Sequence, residues 1–207
     1  DSPDQLAEFR DEVRNFFATD YPQSVREKIA RGQRLEKSDE AISILEKLLQ
    51  AEPANYDALT TLGNVYRVTE KYDKAADAYS RAIATLTQPT KDNWRVFYHR
   101  GIAYHQLEQW EKAEPDFRQA LALAPEEPMV LNYLGYSMIE RKTNLTEALA
   151  MVKKAVELKP NDGMIVDSLG WAYYQLGDYE AALTEIERAV ELVPADPIIA
   201  EHLGDVY

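Results

Sequence analysis

The chain has 207 residues, with 23 Lys and Arg against 36 Asp and Glu, a formal net charge of −13, and 45% hydrophobic residues. This is a foldable composition, and its acidity argues against nucleic acid as a partner, because phosphate binding needs clustered Lys and Arg. The absence of cysteine excludes disulfides, Cys-ligated zinc and a Cys nucleophile, and no apolar run approaches the ~18–20 residues that cross a bilayer, so no transmembrane segment is expected.

The sequence begins at Asp1 with no signal sequence, which reads as a processed or excised piece of a longer protein. Leu6, Phe9, Val13, Phe16 and Phe17 form an apolar helical stripe, predicting an N-terminal capping helix over 1–21. The rest of the chain has a rhythm. Gly63, Gly101, Gly135, Gly170 and Gly204 stand in similar surroundings, at steps of 38, 34, 35 and 34 residues. Tyr66, Ala75 and Ala82 follow Gly63 at the offsets at which Tyr104, Ala113 and Ala120 follow Gly101, and Tyr173, Ala182 and Ala189 follow Gly170. After Gly135 the offset slips by one, placing an extra residue within Arg141–Thr146.

Each unit reads as two helices. Leu59, Leu62 and Tyr66 mark one face of a first helix, and Ala75, Tyr79, Ala82 and Ile83 one face of a second. Pro125, Pro160 and Pro194 close units, because proline cannot continue a helix interior. Glycine within a helix costs about 1 kcal/mol against alanine. Its recurrence is read as close approach of the paired helices, with glycine facing the small alanine of the second. Gly177 instead reads as a turn residue.

These spacings resemble the tetratricopeptide repeat family, a helix–turn–helix unit of about 34 residues. The resemblance gives a degenerate repeat at 22–55, a repeat with an inter-repeat insertion near Thr90–Asn93 at 56–93, a repeat at 94–127, one with a one-residue insertion at 128–162, one at 163–196, and the first helix of a further repeat at 197–207. It implies an all-α fold, an α-solenoid of stacked helix pairs forming a right-handed superhelix, whose concave groove is lined by first helices. In that register the protein- or peptide-binding residues are Asn64 and Arg67, then Arg95, Tyr98, Ile102 and His105, then Met129, Asn132, Tyr136 and Ile139, then Met164, Asp167, Trp171 and Tyr174. The later units are aromatic and apolar there, the earlier ones polar and partly basic; Trp171 and Tyr136 are the best anchors. Some family members clamp a C-terminal carboxylate with basic residues and asparagines. Here only Asn64 fits, with Met129 and Tyr133 where basic residues are required, so the clamp is rejected.

The residues offer little for catalysis. His99 and His105 are six apart on one helix and project in different directions; no nucleophile, phosphate loop or metal constellation is recognisable, and no catalytic, cofactor or metal site is assigned. Asn144-Leu145-Thr146 fits a glycosylation acceptor, but reads first as a helix start capped by Thr146. Charge is uneven: residues 163–207 hold nine acidic side chains and one basic, Arg188. A basic cluster, Arg26, Lys28, Arg31, Arg34 and Lys37, opens the first unit.

The reading is a non-catalytic interaction scaffold for a protein or peptide segment. The alternatives are the repeat region of a larger enzyme or a self-assembly module. The stretches at 131–136, 167–173 and 202–207 also look like repeat proteins of the bacterial envelope, implying a periplasmic location, with a cytoplasmic one left open.

Overall fold

The computed structural model describes residues 34–207, with side chains from Ser38 onward. The capping helix expected over 1–21, the start of the unit at 22–55 and the side chains of the basic cluster lie outside the described residues.

Ten α-helices are found among the described residues: α1 (Arg34–Ala51), α2 (Tyr56–Val68), α3 (Tyr72–Ala84), α4 (Trp94–Gln106), α5 (Trp110–Leu123), α6 (Pro128–Glu140), α7 (Leu145–Leu158), α8 (Gly163–Gln175), α9 (Tyr179–Leu192) and α10 (Pro197–Val206). A 3₁₀ turn, Lys91–Asn93, precedes α4. The class is all-α, built of helix pairs in the manner of an α-solenoid. Helices α2, α4, α6, α8 and α10 occupy first-helix positions; α3, α5, α7 and α9 are second helices.

Local chemistry sets the boundaries. Asn55, Asp162, Asp178 and Asp196 each accept a hydrogen bond from a backbone N–H of the helix they precede, satisfying donors that a helix start leaves unpaired. The turns within pairs need a left-handed residue, supplied by Glu70 (φ 61°), Glu108 (φ 60°), Lys142 (φ 53°) and Gly177 (φ 81°). The turn between α6 and α7 has a second such residue, Asn144 (φ 45°), immediately before α7. The helix therefore starts after Asn144, and Thr146 lies inside α7 instead of capping it.

The described chain divides into two compact units. The first contains the described residues up to Pro89 together with His99–Ala113. Leu45, Leu59, Val65, Ala75, Tyr79 and Ala82 are almost fully buried in it. The Tyr79 hydroxyl donates to Asn64 Oδ1 (2.8 Å), and that of Tyr66 to Glu46 (3.0 Å). Burial, then the bond to Glu46, pushes the Tyr66 phenol up to about 12.

The second unit contains Thr90–Tyr98 and Glu114–Tyr207. Here α6 packs on α7, α8 on α7 and α9, and α10 on α8 and α9. Phe117, Val130, Leu134, Met138, Val152, Val166, Ile186 and Ile199 form its interior. Tyr98, Phe117 and Tyr133 make an aromatic cluster, with ring centroids 5.1–6.1 Å apart. Arg118 bridges Glu114 and Glu147, each at 2.8 Å; its hydrogen bond holds the Glu147 carboxyl below its usual range.

Close approach explains Gly63, Gly135 and Gly170 but not Gly204, where an added Cβ meets nothing within 4 Å, and the partner differs from the expected alanine side chain. A Cβ at Gly63 would lie 2.5 Å from the Tyr79 ring, and one at Gly135 2.7 Å from Val152 Cγ2. At Gly170 the nearest atom belongs to Ile186. Each is the residue one helical turn beyond the alanine, which at Gly135 and Gly170 contributes its carbonyl oxygen. Small alanines let the backbones approach, and the glycine then receives the larger side chain.

Candidate functional site

The first-helix residues expected to line a groove fall into three environments. Arg95, Met129 and Met164 are exposed; Asn64, Arg67, Ile102, His105, Asn132, Tyr136, Trp171 and Tyr174 are half-buried. Tyr98, Ile139 and Asp167 are buried. Tyr98 lies in the aromatic cluster, and Ile139 packs in the core of the second unit, so neither offers an open side chain. Arg95 lies over the Trp94 ring, 4.6 Å from its centroid, and the His105 ring packs edge-on to Trp110.

Asp167 has a partner that its repeat position does not suggest. Both of its carboxylate oxygens, at 3.0 and 2.9 Å, face His202 Nδ1 on α10, and the imidazole is also buried. The two residues are 35 positions apart, as are Tyr98 and Tyr133, which meet edge-on. In both pairs the fifth residue of one first helix meets the sixth of the next. These contacts tie neighbouring first helices together, which is why Tyr98 and Asp167 are closed, while Asn132, the fifth residue of α6, is half-buried.

Around that pair, aromatic rings collect. Trp171 stacks on His202 (centroids 4.1 Å apart, 12° between planes) and on Tyr174 (4.9 Å, 18°). Tyr174 in turn meets Tyr179 edge-on at 5.5 Å. The indole N–H of Trp171 donates to Glu140 Oε1, across from α8 to α6. Trp171 is therefore half-buried and held on several sides, between the open anchor and the buried ring that its sequence position allowed. Tyr136, its counterpart on α6, is pushed up to about 12 by burial first, then by the carboxylates of Glu140, Asp167 and Glu201.

Beside these rings runs an exposed apolar row. Met129, Met164 and Ile198 are the second residues of α6, α8 and α10, and are 47%, 41% and 48% exposed. Ile198 was absent from the sequence-based set, although its place in the repeat matches that of the two methionines. The arrangement offers contact area and hydrogen-bonding edges, a surface for association. Among the described residues no helix is long and apolar enough to cross a membrane.

Comparison with known proteins agrees with this architecture. Family models described as tetratricopeptide repeat match residues 33–89 and 94–127, and one described as TPR repeat matches 170–207. The TPR repeat-containing protein PA4667 of Pseudomonas aeruginosa is 27% identical over 179 residues, covering 70% of this chain and 30% of the relative. The BBSome complex member BBS4 of Bos taurus is 29% identical over 147 residues, covering 69% of this chain and 26% of the relative. The chain thus spans under a third of the length of these curated relatives. Among solved structures, YrrB, described as a TPR protein with an unusual peptide-binding site, superposes with a TM-score of 0.67 at 24% identity, over 83% of this chain and 85% of that one. MamA gives a TM-score of 0.71 at 19% identity, over 92% and 93%. At these identities the superpositions speak for the fold alone. The glycine-seated helix pairs and the three family matches, which together span more than half of the sequence, establish that the chain belongs to the tetratricopeptide repeat family.

Proposed function

We propose that this chain is a non-catalytic interaction scaffold that binds a protein or peptide segment along the first-helix face of α6, α8 and α10. The observation that carries the reading is the exposed row Met129, Met164 and Ile198 beside the half-buried Tyr136 and Trp171. Large apolar side chains held at equivalent positions on successive helices give a ligand a repeated set of contacts, with aromatic rings as anchors. The names of similar proteins support the class: one is described with a peptide-binding site, another as a member of a complex. The earlier first helices belong to the proposal as further contacts for the same kind of ligand, polar at Asn64, Arg67, Arg95 and His105 and apolar at Ile102.

A second reading follows from the relatives' greater length: the repeats are the partner-recruiting region of a larger protein, including one with an enzymatic domain. A bacterial envelope complex is the proposed setting, on the likeness of the first-helix stretches to envelope repeat proteins. The test is site-specific photo-crosslinking in the native host. A photoreactive residue at position 164 should trap a defined polypeptide, and one at the exposed Lys154 on α7 should not. Equal trapping at both sites, or none at 164, would overturn the proposal.

A further inference from the structure

Helices α6, α8 and α10 together contain no Lys or Arg. Their last turns therefore lack a basic residue, whereas α2 has Arg67 and α3 has Arg81 there. Arg141 follows α6 in the chain, and Lys153 of α7 lies over the Tyr173 ring near the end of α8, so the cations near this face come from outside its own helices. Glu140 is the last residue of α6, where an acid is disfavoured by the helix dipole. Its hydrogen-bond partner is the neutral Trp171 indole. Glu201, also exposed, forms no ion pair with a described residue. The neighbouring second helices differ: Lys154 meets Glu126 and Glu157, and Arg188 meets Glu185. On α7 two Lys offset two Glu, and on α9 Arg188 accompanies four Glu, whereas the first-helix face of α6, α8 and α10 has no Lys or Arg of its own, and its carboxylates lie beside aromatic rings.

We propose that this face takes a cationic peptide segment, with a Lys or Arg side chain seated beside the Tyr136 ring and between the carboxylates of Glu140 and Glu201. This rests on the peptide-binding reading above and adds the chemistry of the partner. A ring face attracts a cation through its quadrupole, and a flanking carboxylate supplies the counter-charge. Charge complementarity selects the partner, and Met129, Met164 and Ile198 supply the apolar contact. First helices of successive repeats lie about 10 Å apart, and an extended strand advances about 3.3 Å per residue. The segment should therefore present contact residues roughly every third position.

The test is selection of a random dodecapeptide display library on the whole 207-residue chain, followed by titration of the selected peptides. Enrichment in Lys or Arg is expected. Replacing those residues by Gln in the peptide should weaken binding about tenfold, and so should the double variant E140Q/E201Q, in which position 140 can still accept from Trp171. Neutral or acidic peptides whose binding is lost in Met164→Ser would leave the peptide-binding reading standing and overturn the cationic one. Basic peptides unaffected by E140Q/E201Q would also overturn it. Selected peptides indifferent to both Met164→Ser and E140Q/E201Q would remove the face as a binding site altogether.

Discussion

His202 on α10 is gripped by both carboxylate oxygens of Asp167 on α8, at 3.0 and 2.9 Å, while its ring lies flat against Trp171. One imidazole thus joins the buried tie between repeats to the aromatic face proposed for partner binding. Asp167→Ala would leave the buried ring nitrogen without its acceptor, a loss of about 1–3 kcal/mol. Asp167→Asn keeps an acceptor and should lose less. Hydrogen exchange should show faster opening of α10 in Asp167→Ala, with α2 and α3 unchanged, because repeat stability is largely local. Uniform exchange in both variants would deny the tie.

The glycine positions predict opposite outcomes for one kind of change. Gly135→Ala brings a methyl into Val152 and the Ala148 carbonyl, and overpacking of this kind costs about 1–3 kcal/mol. At Gly204 a Cβ meets nothing within 4 Å, so Gly204→Ala should stabilise α10 by up to about 1 kcal/mol through helix propensity. Denaturant melts of the two variants should move in opposite directions; a Gly135→Ala melt at or above that of the wild type would contradict close packing at Gly135.

Gly177 tests the turn geometry. Its φ of 81° is left-handed, and a Cβ added there would meet no atom within 4 Å. Gly177→Ala therefore meets a conformational cost of about 1–2 kcal/mol and no clash. Glu70 and Glu108 already bear that cost in equivalent turns, so Glu108→Gly should be neutral or stabilising. A melt in which Gly177→Ala equals the wild type would contradict the assigned backbone.

Much of the fold is legible in the sequence because helix pairs need small residues where their backbones meet, and those residues recur at fixed steps. The ring facing Gly63 was not legible: Tyr79 could be identified as a core residue, but which atom enters the space left by glycine depends on helix rotation. The closure of Tyr98 and Asp167 was missed for a similar reason. Register alone places Tyr98 and Asp167 on the open face, while stacking brings them against Tyr133 and His202, one residue further along the next helix. The shared separation of 35 in both pairs is the signal that could have found them.

Tyr136 gives a pH dependence. Its phenol is raised from 10.0 to about 12 by burial and by nearby carboxylates. The unfolded chain ionises first, so the folded state holds the proton longer. The contribution to stability is full below pH 10 and is lost as pH rises through about 12. Tyr136→Phe should flatten the fall in melting temperature between pH 10 and 12 relative to wild type. Parallel curves for the two proteins would contradict the buried, acid-flanked setting.

Binding of a polypeptide segment by the face of α6, α8 and α10 stands or falls on one titration. A library-selected peptide is titrated into wild type, Met164→Ser and Tyr136→Ala, with helical content recorded on the same samples. Affinity should be lower by about 1–3 kcal/mol in Tyr136→Ala, with a smaller loss in Met164→Ser and helical content retained in both. Unchanged affinity in two well-folded variants would contradict binding at this face.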